Sequence, residues 1–238
     1  MLFYYIRHGD PIYEPDSLTP HGHKQAEALS ERLCRTGLDK IFVSTSNRAR
    51  QTAAPTCEKL GTAPIPLDFA NEHYAWLDFT VPKADNSGDT WAFHDERTIN
   101  LFSSPEIRDL GDHWYDHPKL LRKDFQKGVE RVYREADSFF ASLGYKHIPH
   151  TGRYEATAHN NDRVALFAHQ GFGLIFLSCL LDIPYPQFCT HFDMCHTGVT
   201  LIEFSPDSTG KICLPKVLAL SDSAHLYAKD IPSNYVQY

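Results

Sequence analysis

The segment Val164 to Ala168 is continuously apolar, and that run limits the architecture more than any other feature of the chain. A strand with one face in water alternates polar and apolar residues. A run without alternation belongs to a central strand covered on both faces, as in parallel sheets with helices above and below. Four further strand candidates accompany it: Leu2 to Ile6, Lys40 to Val43, Thr200 to Phe204 and Val217 to Leu220. Between the first two, Thr19 offers a helix cap, Pro20 suits the first helical position, Ala26, Leu29 and Leu33 repeat on one face, and Gly37 provides a stop. A second helix is expected from Ser46 or Asn47 toward Leu60, with Pro55 predicting a kink or an early end. The stripe Val129, Val132, Tyr133, Ala136, Phe139, Phe140 and Leu143 predicts a core-facing helix over Lys127 to Leu143, with Gly144 beyond it. Strands alternating with crossover helices make the expected fold class α/β, a three-layer sandwich with a mostly parallel central sheet flanked by helices.

The 238 residues, 42% of them hydrophobic, are enough for one full core, and no linker or repeat divides them, so residues 1–238 read as a single domain. The opening Leu2-Phe3-Tyr4-Tyr5-Ile6 is too short and too aromatic for a signal peptide. The longest apolar helix candidate, Phe172 to Leu181, falls well short of the roughly 20 residues that span a bilayer. A soluble, cytoplasmic protein is the expectation. Six cysteines without a C-x-x-C pair predict reduced, buried thiols rather than disulfides or zinc. The net charge of −7 argues against nucleic acid or an anionic membrane as partner. A small anionic substrate is still served by a few local arginines, and a homodimer is compatible with the composition.

Three polar groups fall where a parallel sheet places its ligands, just beyond the carboxyl ends of strands. Arg7-His8-Gly9 follows the first strand, Ser44 to Arg48 the second, and His169-Gln170-Gly171 the apolar run. Singly, a histidine after a strand is commonly a hydrogen-bonded structural residue; the coincidence of three is what points to a site.

In order along the chain, Arg7-His8-Gly9, then Leu18-Thr19-Pro20-His21-Gly22, then Ser44-Thr45-Ser46-Asn47-Arg48-Ala49-Arg50-Gln51-Thr52-Ala53 resemble the signature of the histidine phosphatase, or phosphoglycerate mutase-like, superfamily. His169-Gln170-Gly171 looks like that family's second histidine. The resemblance runs from Leu2 to about Leu220 and is loose in the middle third. It implies a phosphohistidine intermediate on His8. Phosphoryl transfer spreads charge over three equatorial oxygens, so fixed donors must surround them, and Arg7, Arg48 and His169 are the expected ones. Guanidinium forks grip two phosphate oxygens and keep their charge. His8 must attack through an unprotonated nitrogen, a state that two neighbouring arginines favour while a backbone carbonyl holds the other nitrogen. The phosphate-binding set read from these motifs is Arg7, Gly9, Thr19, Arg48, His169, Gln170, Gly171 and Thr197, with Gly9 and Gly171 expected to let backbone approach the phosphate. Around His196-Thr197-Gly198, either Thr197 or His196 touches ligand, or the glycine marks a structural turn.

One carboxyl group must protonate the leaving oxygen and later activate water. Asn71-Glu72-His73-Tyr74 resembles the family's acid segment and makes Glu72 the first choice, although Ala75-Trp76-Leu77 departs from the glycine and tryptophan-glutamate pair common there. Asp78 and Asp10 are the alternatives. The resemblance also implies a substrate-selecting cap at roughly residues 76–124, while Lys146 to Asp162 reads as a second insertion with hairpin character. Neither a cofactor nor a metal is called for. Asp112-His113-Trp114-Tyr115-Asp116-His117 has histidines four apart but lacks the glutamate of a metalloprotease motif, and a solvated helix end before Pro118 is the better reading. The expected activity is that of a histidine acid phosphatase-type hydrolase acting on a small phosphorylated metabolite. The rivals are a mutase, against which Glu72 is followed by His73 rather than arginine, and a non-catalytic phosphate-binding module.

Overall fold

The computed structural model describes residues 1–122, 124–158 and 160–233. Lys123 and His159, which fall in the expected cap and hairpin insertions, and the last five residues of the chain lie outside the described residues. The chain opens with β1 (Leu2–Arg7), the short pair β2 (Pro11–Ile12) and β3 (Ser17–Leu18), α1 (Pro20–Thr36), β4 (Lys40–Ser44), α2 (Asn47–Leu60) and β5 (Ile65–Leu67). Next come α3 (Glu72–Phe79), a ribbon of β6 (Thr80–Pro82) and β7 (Asp89–Trp91), α4 (Glu96–Phe102), α5 (Pro105–Leu110) and α6 (Phe125–Ser142). The hairpin β8 (Tyr145–Ile148) and β9 (Arg153–Ala156) leads to β10 (Arg163–Ala168), α7 (Gln170–Leu181), α8 (Tyr185–His191), β11 (Val199–Glu203), β12 (Ile212–Cys213), β13 (Lys216–Asp222) and α9 (Ala224–Tyr227).

The main sheet has the order β13-β11-β1-β10-β4-β5. β1, β10, β4 and β5 pair in parallel, and β11 runs against both of its neighbours, so it is the one reversed strand of the six. The apolar run that predicts a doubly covered strand is β10, in the middle of the sheet, with Val164 to Ala168 all buried. Alternate residues of β1 and β10 feed two separate cores. Phe3, Tyr5, Val164 and Leu166 pack with Phe139 and Phe140 of α6 and Phe172 and Phe176 of α7. Tyr4, Ile6, Ala165 and Phe167 pack with Leu29 and Leu33 of α1 and Ala49 and Ala53 of α2. Two apolar clusters on opposite faces of one sheet are the physical content of three layers.

Local signals explain the helix ends. The Thr19 hydroxyl accepts from Gly22 N at 2.9 Å with Pro20 at the first helical position, and Gly37 closes α1 with φ 72°. α2 runs unbroken through Pro55 to Leu60, so the expected early end does not occur. Its Ala49, Thr52, Ala53, Thr56 and Cys57 are buried, and that packing offsets the hydrogen bond that proline removes. β5 and the hairpin partner β12 are too short for their sequence patterns to announce them. Residues 76–124 hold the end of α3, the β6–β7 ribbon, α4, α5 and a 3-10 turn at Gly111–Asp116. All six cysteines are free, and five are buried. Among the described residues no helix is long and apolar enough to cross a membrane.

A buried ionic knot fastens the hairpin to the sandwich. His147 on β8 places Nδ1 2.8 Å from Asp137 on α6 and Nε2 3.0 Å from Asp182 at the end of α7. Asp182 also accepts from Tyr133 Oη at 2.8 Å and Gly152 N at 2.6 Å. Burial disfavours the imidazolium, but the two carboxylates outweigh it and push the His147 pKa up to about 9. A pKa raised on folding contributes stability that is complete below the unfolded value of about 6.5 and is lost as pH rises through the folded value. Comparing melting temperatures of wild type and His147→Gln across pH should therefore show the largest gap in mild acid, narrowing as pH passes about 9. A gap that is constant with pH would assign the knot to packing alone.

Candidate active site

Parallel register brings the catalytic candidates together. Arg7 pairs with Ala168 across β1 and β10, and Phe167 pairs with Val43 across β10 and β4, so residues 8, 169 and 44 leave the sheet at one edge. His8 N donates to Ala168 O at 2.9 Å, tying the two strand ends. The imidazoles of His8 and His169 lie with centroids 5.2 Å apart, and His196 lies 5.6 Å from His8 on another side.

His8 is buried, and its Nδ1 is 2.7 Å from Gly9 O. A carbonyl can only accept, so Nδ1 carries the proton and Nε2 keeps its lone pair. Burial, then His169, Arg7 and Arg48, hold its pKa well below the ordinary imidazole value. His169 is equally buried, and burial followed by Arg48 and Arg7 depresses its pKa as well. Its Nε2 is held by Ser44 Oγ at 2.8 Å and Ser46 Oγ at 3.2 Å, and its carbonyl accepts from Tyr5 Oη at 2.6 Å.

Glu72 begins α3, where the helix dipole meets its carboxylate. Oε2 lies 3.3 Å from His169 Nδ1 and 3.4 Å from Arg48 Nη2, and Oε1 accepts from Phe172 N at 3.2 Å. Burial raises its pKa against the pull of Arg48, a direction that suits a carboxyl group meant to carry a proton. The alternatives are engaged elsewhere. Asp78 is ion-paired with Arg131 of α6 at 2.9 Å, while Asp10 accepts from Thr19 Oγ1 at 2.6 Å and faces His196 Nδ1 at 3.5 Å.

Arg7 donates through Nη1 to Met194 O, and Arg48 pairs through Nη1 with Asp16 Oδ1 at 2.7 Å. The Nε groups of both arginines are buried and have no hydrogen-bond partner among the described residues. Asp16 also accepts from Asn47 N at 2.6 Å, so this loop residue docks on the start of α2 and on Arg48 together. Only its acidic surroundings in the sequence hint at it. Ser44, Tyr5 and Thr52, whose hydroxyl accepts from Gly9 N at 2.9 Å, are likewise supports that no motif marks out individually.

Other expected contacts are spoken for. The Thr19 hydroxyl serves as helix cap, the Gln170 amide donates to Asp193, and the Thr197 hydroxyl donates to His196 O at 2.7 Å and lies 3.0 Å from His225 Nε2. Thr197 sits at φ 58°, and its N–H donates to Arg7 O at 3.0 Å, so it braces the end of β1 through its backbone. The two glycines are required by protein neighbours. A Cβ on Gly9 would come within 2.8 Å of Gly22 O, and one on Gly171 within 2.4 Å of the Trp91 ring. His113 and His117 turn to separate acids, Asp116 and Glu106. The one group of metal-ligand type among the described residues is His8, Glu72 and His169, with ligand atoms within 4.8 Å of one another. Two guanidinium groups stand beside it, so the cluster suits an anion better than a cation. A cavity of about 760 Å³ opens above Arg48 and Glu72, walled by Tyr13, Trp76 and Trp91.

Residues 3–79 match the model of the histidine phosphatase superfamily (branch 1). No curated protein matches the sequence significantly. Solved structures share the fold across nearly the whole chain at low identity. A mycobacterial glucosyl-3-phosphoglycerate phosphatase is 19% identical over 92% of this chain and 97% of its own, with a TM-score of 0.56. A phosphoserine phosphatase from Entamoeba histolytica is 16% identical over 94% and 98%, with a TM-score of 0.58. An alpha-ribazole phosphatase from Shigella flexneri is 17% identical over 94% and 97%, with a TM-score of 0.57.

The electrostatics make a prediction independent of substrate. In histidine NMR spectra of the free protein, His8 and His169 should show no protonation on passing through the ordinary imidazole midpoint of about pH 6.5. A midpoint at or above that value for His8, identified by its loss in His8→Asn, would contradict the assignment of a neutral ring.

Proposed function

Starting from a chain with the fold and the N-terminal signature of the histidine phosphatase superfamily, we propose that this protein is a histidine acid phosphatase-type hydrolase of small phosphomonoesters, with a phosphohistidine on His8. The observation that carries the reading is the pair of buried Arg7 and Arg48 Nε donors, without an acceptor among the described residues, beside a His8 held toward its neutral form. Buried donors ordinarily find acceptors, and a phosphoryl group supplies them at the place where His8 attacks.

In the first step His8 Nε2 forms a bond to phosphorus as the bond to the leaving oxygen breaks, and the carboxyl group of Glu72 passes its proton to that oxygen. Arg7 and Arg48 oppose the charge on the equatorial oxygens. In the second step the Glu72 carboxylate takes a proton from water, whose oxygen attacks phosphorus. The P–N bond breaks, orthophosphate departs and His8 returns to its neutral state. His169, held by Ser44, Ser46 and Tyr5, is assigned as a neutral hydrogen-bonding neighbour of phosphate and Glu72. Residues 76–124 are assigned as the cap, because Trp91 reaches from this segment onto Gly171 beside the phosphate end.

The similar structures are phosphatases named for phosphoserine, glucosyl-3-phosphoglycerate and alpha-ribazole. They favour hydrolysis while disagreeing on the alcohol released. A phosphatase panel reading inorganic phosphate tests the proposal. Turnover should fall by roughly 10³-fold or more in His8→Ala, and ³²P-labelled substrate should label wild type in an acid-labile bond. Transfer between phosphoglycerates without phosphate release would make the protein a mutase, and absence of both would leave a binding module. The pH profile of kcat/KM should be bell-shaped. Its acid limb lies below the ordinary imidazole range because His8 must be neutral, and its alkaline limb lies above the ordinary carboxyl range because Glu72 must be protonated. Glu72→Gln should slow phosphorylation of His8 by alkyl esters about 10²-fold or more while sparing that step with 4-nitrophenyl phosphate, whose leaving group needs no proton, so 4-nitrophenol should appear in a burst followed by slow hydrolysis of the phosphohistidine.

A further inference from the structure

Beyond phosphate, the cavity above Arg48 and Glu72 presents ring faces and, at Arg48, a positive charge already paired within the protein. Tyr13 is 67% exposed and Trp76 37% exposed, and both line the cavity together with Trp91. The two indoles are braced, and Tyr13 is held on one face. Trp76 meets Trp91 edge-on at 5.0 Å, Trp91 stacks on Phe93 at 5.3 Å and rests on Gly171, and Tyr13 lies under the Arg48 guanidinium at 5.4 Å. Among the described residues Arg48 is the sole lysine or arginine lining the cavity, and two carboxyl groups, Asp16 and Glu72, already face it. The amide side chains at the rim are also engaged within the protein, and His73 is the exposed polar side chain beside them. Asn71 donates to Thr45 Oγ1 and accepts from His73 N, and Asn47 donates to Asp16 O.

Glu72 and Trp76 are four residues apart on α3. Side chains at that spacing share one helix face, roughly 5–6 Å apart at Cβ. A leaving oxygen that takes its proton from Glu72 therefore holds the rest of its alcohol against Trp76. A carboxylate on that alcohol would meet Asp16, and no lysine or arginine besides Arg48 lines the cavity among the described residues. A flat ring meets braced aromatic faces at little entropic cost.

From this arrangement we infer that the preferred substrates are phosphomonoesters of alcohols carrying an uncharged aromatic ring, with Trp76 and Tyr13 as the specificity-determining residues. The inference rests on the phosphatase reading and on Glu72 as the acid. A matched set of esters tests it: benzyl phosphate, butyl phosphate, glucose 6-phosphate and phosphoserine, with 4-nitrophenyl phosphate as a substrate that reports His8 chemistry without an acid. Benzyl phosphate should exceed butyl phosphate and phosphoserine in kcat/KM by about tenfold or more, the size expected of one good stacking contact. The benzyl-to-butyl ratio should collapse in Trp76→Ala, mainly through KM, fall partly in Tyr13→Ala and recover in Trp76→Phe. Phosphoserine or glucose 6-phosphate as the best substrate, or a ratio unchanged by Trp76→Ala, overturns the inference while leaving the phosphatase intact. No phosphate released from any ester, 4-nitrophenyl phosphate included, removes the phosphatase reading and this inference with it.

Discussion

Burial at the sheet edge, reinforced by the positive charge of Arg7 and Arg48, governs the rest of the site. Arg7 and Arg48 both act on His8 and His169, and neither imidazole can take a proton without adding a third charge to a desolvated cluster. Glu72 is drawn in by the same field, yet burial leaves its pKa raised. One arrangement thus lowers the proton affinity of His8 and raises that of Glu72, the shifts that the proposed nucleophile and acid call for. Those are opposite requirements, and they arise here from the different signs of the two ionised forms. An imidazolium loses from both burial and the arginines, whereas a carboxylate loses from burial and gains from Arg48.

That field is useful only if the groups cannot drift, and the fold restricts them through backbone contacts. Parallel pairing of β1 with β10 sets His8 beside His169. Gly9 and Gly22 touch closely enough that the loop after β1 is pinned on the start of α1, and Thr52 of α2 holds Gly9 N from another side. Thr197 caps the end of β1 in a conformation threonine seldom adopts. These are restraints on main chain, and they give Gly9 and Thr197 a part in fixing the end of β1.

How legible each part was follows from the range of the interaction that decides it. β10 and the helix over residues 125–142 were readable because burial on two faces or one stripe leaves a local hydrophobic pattern. The grouping of residues 8, 44 and 169 was readable because parallel sheets direct strand ends to one edge. The continuation of α2 through Pro55 was not, since packing against α1 lies outside any local window. Asp16 was missed for a similar reason: its hold on Arg48 is a contact 32 residues away in sequence from a loop without periodicity. Glu72 could be reached only through a family motif, since nothing local distinguishes it from a solvated glutamate. Its distances to His169 and Arg48 are what separate it from Asp78 and Asp10.

The two halves of the site differ in the kind of structure that carries them. The phosphate half hangs on strand ends of a sheet whose register admits little adjustment, because a one-residue slip would exchange its two buried faces. The leaving-group half stands on α3 and the ribbon behind it, which rest on helices α6 and α7 rather than on the sheet, through Trp91 on Gly171, Glu72 on Phe172 N, Asp78 with Arg131 and the buried Ala75 and Phe79. The acid and the aromatic wall share that second support, so a shift of α3 would move both. On the proposed function, proton delivery and recognition of the alcohol would therefore be coupled through one short helix, while capture of the phosphoryl group would not. A change in α3 should consequently alter which ester is cleaved, and how its oxygen is protonated, before it alters the pocket that holds phosphate.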